Sequence, residues 1–143
     1  MPIVNRTLDA SEQRKAFGVN AGAVATGVSG IICMVPYPAT IDAAEIAAFG
    51  LSGAPTYSLV VNRFVVGAGV TAITVVSGQA VSAFGTSGPQ GVSLPAAGSS
   101  LLNVLPNDVL MYQSAGANTA VTGLSVNVVL KPIQDIKIHF AQV

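Results

Sequence analysis

Charge is what this sequence has least of. Only 12 of its 143 residues are Lys, Arg, Asp or Glu, and the six basic and six acidic residues cancel. Soluble domains normally carry about 25% charged residues, whose interspersed signs keep subunits apart in water. The zero net charge also removes the electrostatic basis of non-specific nucleic-acid binding. We therefore expect a chain whose surface is largely covered by other protein subunits, with no nucleic-acid partner.

Cysteine and histidine are equally scarce. With Cys33 and His139 as the only examples, the chain has no internal disulfide and no clustered Cys/His zinc site. Cys33 lies in an apolar run and is interpreted as a small buried hydrophobe. Asp135, four residues before His139 on the same predicted strand, is too distant to form a catalytic pair. The remaining carboxylates are scattered, so we predict no enzyme, no cofactor and no metal site.

A membrane partner is not expected either. Residues 16–41 carry no charge and are long enough to span a bilayer, but four glycines, Pro36 and Pro38 interrupt them. A secretory signal fits poorly because Asp9 and Glu12 occupy the place of its basic region. We expect assembly in the cytoplasm of the producing cell.

What is abundant is Val, Thr and Gly, which favours short strands joined by turns. We predict a polar N-terminal arm over residues 1–17 and one domain over residues 18–143. Seven to nine strands and one helix predict an all-β, antiparallel β-sandwich, with a jelly roll as the best single arrangement. The predicted elements are a weak strand or loop at 18–30, strands at 30–37, 56–66, 70–77, 79–84, 101–105, 109–113, 122–131 and 135–140, turns at 67–69 and 106–108, a turn-rich segment at 85–100 and a loop at 114–119.

The predicted helix runs from Thr40 to Gly50. Thr40 is a suitable N-cap, and the acidic side chains of Asp42 and Glu45 would favour the first turns. The apolar residues Ile41, Ala44, Ile46, Ala48 and Phe49 are spaced near three and four.

Three features are candidate contacts. The arm carries five charges that would set register against a partner, namely Arg6, Asp9, Glu12, Arg14 and Lys15. The uncharged 85–100 segment, with Pro89 and Gln90, is long for an exposed loop. Arg63 stands alone in a strand whose two faces are both largely apolar, which predicts cover on both sides. Its guanidinium needs a partner, which we expect to be Asp108, Glu45 or a neighbouring subunit.

Three segments resemble the cement or decoration proteins of tailed bacteriophage capsids: Ala54–Phe64 (APTYSLVVNRF), Leu105–Leu110 (LPNDVL) and Val128–Ile136 (VVLKPIQDI). The resemblance implies a jelly-roll-like sandwich on the outer surface of the virion. It implies the major capsid protein as partner, and a homotrimer or homodimer that cements neighbouring capsid subunits.

Two other functions remain open. The chain would suit a shell-forming coat or a head- or tail-fibre subunit, although a coat that lines a genome usually has a basic inner surface. A carbohydrate-binding sandwich commonly presents aromatic platforms, and this chain has three Tyr and no Trp.

Overall fold

The residues that the structure describes form one antiparallel β-sheet of eight strands, which confirms the all-β prediction. The computed structural model describes residues 14–24 and 29–133, with the backbone alone for 22–24 and 115–120. The strands are β1 (Lys15–Val24), β2 (Ser29–Met34), β3 (Ala39–Ala47), β4 (Gly50–Val65), β5 (Gly69–Ala80), β6 (Gln90–Gly91), β7 (Asn103–Val104) and β8 (Val109–Pro132). A one-turn helix, α1 (Phe84–Ser87), and a 3-10 turn at Ser100–Leu102 accompany them. Within the described ranges, no helix is long and apolar enough to cross a membrane.

The 24-residue strand β8 is the centre of the sheet. One edge of β8 pairs with β2 and then with β1, and its other edge pairs with β4 and then with β3. β4 pairs in turn with β5, and β3 pairs with β6 and β7. The first half of β8 therefore lies in the order β2–β8–β4–β5, and the second half in the order β1–β8–β3.

The two halves of the sheet fold over one another. Met34 pairs with Val109 at one end of β8, and Ala39 pairs with Pro132 at the other. Five Cα–Cα steps separate Met34 from Ala39, so these Cα atoms are at most about 19 Å apart. A straight strand of this length would extend roughly 80 Å, so β8 must curl back on itself. Gly123, with φ of 61°, provides a left-handed kink where β8 passes from β4 to β3.

The core between the halves is tightly packed. Tyr57 and Tyr112 from the first half meet edge to face, with ring centroids 6.0 Å apart. They line a space of about 20 Å³ together with residues of the second half, Ala44, Ile46 and Val126. The architecture is therefore sandwich-like, while the jelly-roll order is not confirmed.

The predicted helix at 40–50 is wrong, because these residues form β3 and the start of β4. The register moves from Ile41 opposite Leu130 to Ala43 opposite Val129, which leaves Asp42 as a β-bulge. The bulge turns Ile41 and Ala44, three residues apart, to the same buried side. The three-residue spacing that suggested a helix is therefore produced by a strand that contains one extra residue.

The predicted loop at 114–119 is also wrong, since β8 continues through it opposite residues 53–57 of β4. The predicted arm ends too late, because β1 begins at Lys15, and residues 18–30 contain strands β1 and β2 rather than one weak strand or loop. The remainder of the arm and the predicted strand at 135–140 lie outside the described residues. The hairpin of 56–66 and 70–77 is confirmed, as is the turn at 106–108.

Candidate interaction face

The half sheet β2–β8–β4–β5 has one side in the core and one side directed outward. Leu59, Val61, Leu110 and Tyr112 belong to the core cluster, so their neighbours along β4 and β8 point the opposite way. Cross-strand register aligns those neighbours in rows. We call this side the outer face: Ser29, Ile31 and Met34 of β2; Val109, Met111 and Gln113 of β8; Ser58, Val60, Asn62 and Phe64 of β4; Val70, Ala72 and Thr74 of β5.

The outer face is apolar and exposed at its margins. Ile31 and Met34 on one side are 59% and 62% exposed, and Phe64 and Val70 on the other are 68% and 67% exposed. Between them, Val60 is buried although it lies outside the core cluster. Exposed apolar side chains gathered on one face are a feature of interaction sites.

Two polar side chains of the outer face, those of Asn62 and Ser58, form hydrogen bonds with neighbouring strands. The Asn62 side-chain amide donates to the Met111 sulfur at 2.7 Å, which joins the middle of β4 to β8. The Gly78 amide donates to the Ser58 hydroxyl at 3.1 Å, at the far margin of the face. None of the residues that define the face is charged, so a partner would have no ionised group to desolvate here.

The β4–β5 hairpin extends this apolar surface at its tip. Val65 opposes Gly69, and the Ala68 amide donates to the Val65 carbonyl at 3.0 Å across the three-residue loop. Gly67 and Gly69 have φ of 86° and 83°, which a side-chain-bearing residue adopts only with strain. Val66 is 89% exposed. An apolar side chain is therefore held at the most prominent point of the turn.

Arg63 lies between Asn62 and Phe64 of the outer face but on the opposite side of β4, where it is held by Asp108. Its Nε and Nη2 donate to the Asp108 carboxylate at 3.0 Å and 2.7 Å, and the Leu105 amide donates to the same carboxylate at 2.8 Å. The hydrogen bonds to Asp108 raise the pKa of the Arg63 guanidinium above its ordinary value. Of the three partners predicted for Arg63, Asp108 is confirmed. The pair ties β4 to the turn that starts β8 and neutralises the charge nearest the outer face.

The charged residues predicted as contacts lie elsewhere. Arg14 forms an ion pair with Asp42 at 3.1 Å, and both side chains are partly exposed. Lys15, at the start of β1, opposes Leu130 and is exposed. Arg6, Asp9 and Glu12 lie outside the described residues. The structure therefore places Arg14 and Lys15 on the other half of the sheet from the outer face.

In the 85–100 segment, Gln90 is fixed to the rest of the fold. The Gln90 side-chain oxygen accepts from the Ser82 amide at 2.7 Å, and Gln90 pairs with Ile46 in the sheet. Pro89 is exposed and lines a shallow cleft beside Glu45. Gln90 thus holds the segment against β3, and these two residues are not brought together with the outer face.

The reactive groups of the described chain are not assembled into a site. Burial raises the pKa of the Cys33 thiol to about 11, and Cys33 packs against the core. No group of three or more His, Cys, Asp or Glu side chains within 14–24 and 29–133 is arranged to hold a metal. His139 lies outside those ranges. Two open clefts of about 480 and 470 Å³ flank Leu94 and Pro95, and their lining residues include no aromatic side chain.

The sequence signalled the outer face only in part. Two apolar faces on the 56–66 strand predicted cover on both sides; on the outer side of β4, Val60 is buried but Phe64 is 68% exposed. The contributions of Ile31 and Met34 depend on a bulge between Ile31 and Cys33, which the sequence does not reveal. Comparison with known proteins gives no match: no protein-family model, no curated protein and no solved structure is significantly similar to the chain.

Proposed function

We propose that the chain is a structural protein that works by burying its outer face against other protein subunits. The observation that carries the proposal is the uncharged apolar surface across four strands. With strands about 4.8 Å apart and rows about 6.7 Å apart, the face covers roughly 300 Å² of sheet before the hairpin tip is added. Patches of this size on monomers are usually functional.

We further propose that the assembly is the capsid of a tailed bacteriophage, with the chain as a cement protein on the outer surface of the virion. This rests on the resemblance of three segments to such proteins. Two of these segments, 54–64 and 105–110, meet at the Arg63–Asp108 pair beside the outer face. The partner would be the major capsid protein.

The mechanism follows from the composition of the face. Apolar surface gains about 25 cal/mol for each Å² removed from water, and no buried charge opposes that gain. A copy that contacts two neighbouring capsid subunits raises the free energy needed to separate them. If copies are joined to one another, each contact also raises the effective concentration of the next.

A binding measurement tests the proposal. Tailed-phage capsids are prepared from cells that carry the gene for this chain. The labelled chain is mixed with these capsids, and the amount that sediments with them is measured. The double variant Phe64→Ser/Val70→Ser should bind at least about tenfold more weakly, because both side chains would lie in the contact. The matched control is Phe49→Ser, which removes an exposed aromatic side chain outside the face.

The outcomes separate the candidate functions. Binding that is unchanged in the double variant contradicts a role for the outer face. Absence of binding by the natural chain contradicts the cement function. Closed shells formed by the chain alone would indicate a coat subunit instead, and binding to glycans through the Leu94–Pro95 clefts would indicate a carbohydrate-binding module.

A further inference from the structure

β5 forms one margin of the outer face, and within the described part of the chain one of its edges is open. Among the described residues, β5 pairs with no strand other than β4. It has 12 residues, none of them charged and none proline. Exposed strand edges are normally protected by charge, proline, bulges or covering loops, because their free amide and carbonyl groups bind other strands.

Only half of β5 has such protection. The register shifts opposite Leu59 bulge the strand between Val75 and Gly78. The Ser93 amide also donates to the Gln79 side-chain oxygen at 3.0 Å, which brings the 93–95 segment beside this half. Val70–Thr74, in contrast, pairs one to one with Val60–Phe64 and is regular. The unprotected edge is therefore five residues long, with Ala72 at its centre.

The other edges of the sheet are poorer templates. β1 is regular from Lys15 to Asn20, but this run begins with the charged Lys15, beside Arg14, and is followed by two register shifts. β2 has six residues and one register shift. β6 and β7 have two residues each. Val70–Thr74 thus combines a regular edge with a strand that carries no charge along its whole length.

We propose that Val70–Thr74 pairs antiparallel with the same segment of a second copy, about a two-fold axis at Ala72. Ala72 would face Ala72 of the second copy, and Val70 would face Thr74. The pairing forms about four to six backbone hydrogen bonds, within reach of the 10 ± 5 of typical interfaces. This inference deepens the proposed function, because it joins the outer faces of two copies into one continuous surface.

The absence of charge on this edge favours a second copy of the chain as its binding partner. A strand that pairs with a second copy of itself carries the same net charge on both sides of the contact, so a charged strand would repel itself. From Phe64 to Ala80 no residue is charged. The neighbouring cation, Arg63, is neutralised internally by Asp108. Two copies of this edge can therefore pair without an opposite charge to offset electrostatic repulsion.

Introducing a charge at Ala72, on the proposed two-fold axis, tests the inference. Sedimentation and light scattering over a range of concentrations should give a reversible dimer for the natural chain. Ala72→Lys and Ala72→Glu should each raise the dimer dissociation constant at least about tenfold, since like charges would face one another. An equimolar mixture of the two variants should restore the dimer, which also shows that both are folded. Ala97→Lys, in an exposed loop, is the matched control.

Several outcomes would overturn the inference. These are a dimer indifferent to both variants, a trimer, no rescue on mixing, or a natural chain that is monomeric at every concentration. The last result combined with slow amide exchange in Val70–Thr74 would indicate that another part of the same chain covers the edge. None of these results depends on capsids, so the capsid experiment decides the proposed function separately.

Discussion

The two faces of the β2–β8–β4–β5 half sheet have similar residues and opposite surroundings. On the inner face, Leu59, Val61 and Leu110 are almost completely buried by the second half of the sheet. On the outer face, Phe64 and Val70 are about two-thirds exposed. An antiparallel sheet that meets water on one side normally alternates apolar and polar residues. The exposed apolar residues of the outer face depart from this alternation, and this departure is the basis of the proposed contact with other subunits.

This comparison predicts unequal sensitivity to truncation. Leu110→Ala should lower the free energy of unfolding by about 3 kcal/mol, because it leaves a cavity in the closed core. Met34→Ala, on the outer face, should lower it by less than about 0.5 kcal/mol in the isolated chain. Urea unfolding followed by circular dichroism measures both. Equal losses would mean that the outer face is packed in the isolated protein, and the comparison would fail.

The Arg63–Asp108 pair provides a second test at the boundary of the two faces. Asp108→Ala should cost about 2–3 kcal/mol, since it removes the acceptor of the Arg63 guanidinium and of the Leu105 amide. Asp42→Ala breaks the exposed pair with Arg14 and should cost about 0.5 kcal/mol or less.

Thermal and urea unfolding of the two aspartate variants separates the roles of the pairs. Asp108→Asn keeps an acceptor for Leu105 and should lie between Asp108→Ala and the natural chain. If Asp42→Ala proves as costly as Asp108→Ala, burial does not distinguish the two pairs.

The sequence was sufficient wherever contacts are local. The hairpin around Gly67 and Gly69 and the turn before Asp108 depend on neighbouring residues, and both were predicted. The Arg63–Asp108 pair joins residues 45 positions apart, and the sequence therefore predicted it only as one of three possible partners for an isolated cation in an apolar strand.

Prediction failed where long-range pairing decides the structure. Ala44 and Glu45 favour helix locally, but β8 aligns them in a strand with a bulge at Asp42. Residues 114–119 have turn-like composition, yet β4 holds them in β8. Neither partner strand is adjacent in sequence, so no local pattern could reveal the pairing. The outer face required the same knowledge, since its rows draw on four strands from separate parts of the chain.

The smallest predicted effect concerns which face of β2 carries Cys33. The bulge after Ile31 turns Cys33 toward the core, where burial raises the pKa of its thiol from 9.0 to about 11. A native pKa above the unfolded value means that the thiol stabilises the fold below pH 9. Above pH 9 the unfolded chain loses this proton first, so stability falls as pH rises toward 11. Because Cys33 is only partly buried, we expect the free energy of unfolding to fall by about 1 kcal/mol over this pH range.

Urea unfolding of the natural chain and of Cys33→Ala between pH 7 and 11 measures this contribution, together with the smaller effect of the Cys33 charge on the pKa of Tyr37. The pKa of Tyr112 is raised by burial alone, so its titration is shared by both proteins. The difference in unfolding free energy between the two proteins should shrink between pH 9 and 11 and stay constant below pH 8. A difference that does not change with pH would place the thiol in water, on the outer side of β2 with Ile31 and Met34. The bulge would then not separate the two faces at this position, and the outer face would be one residue larger.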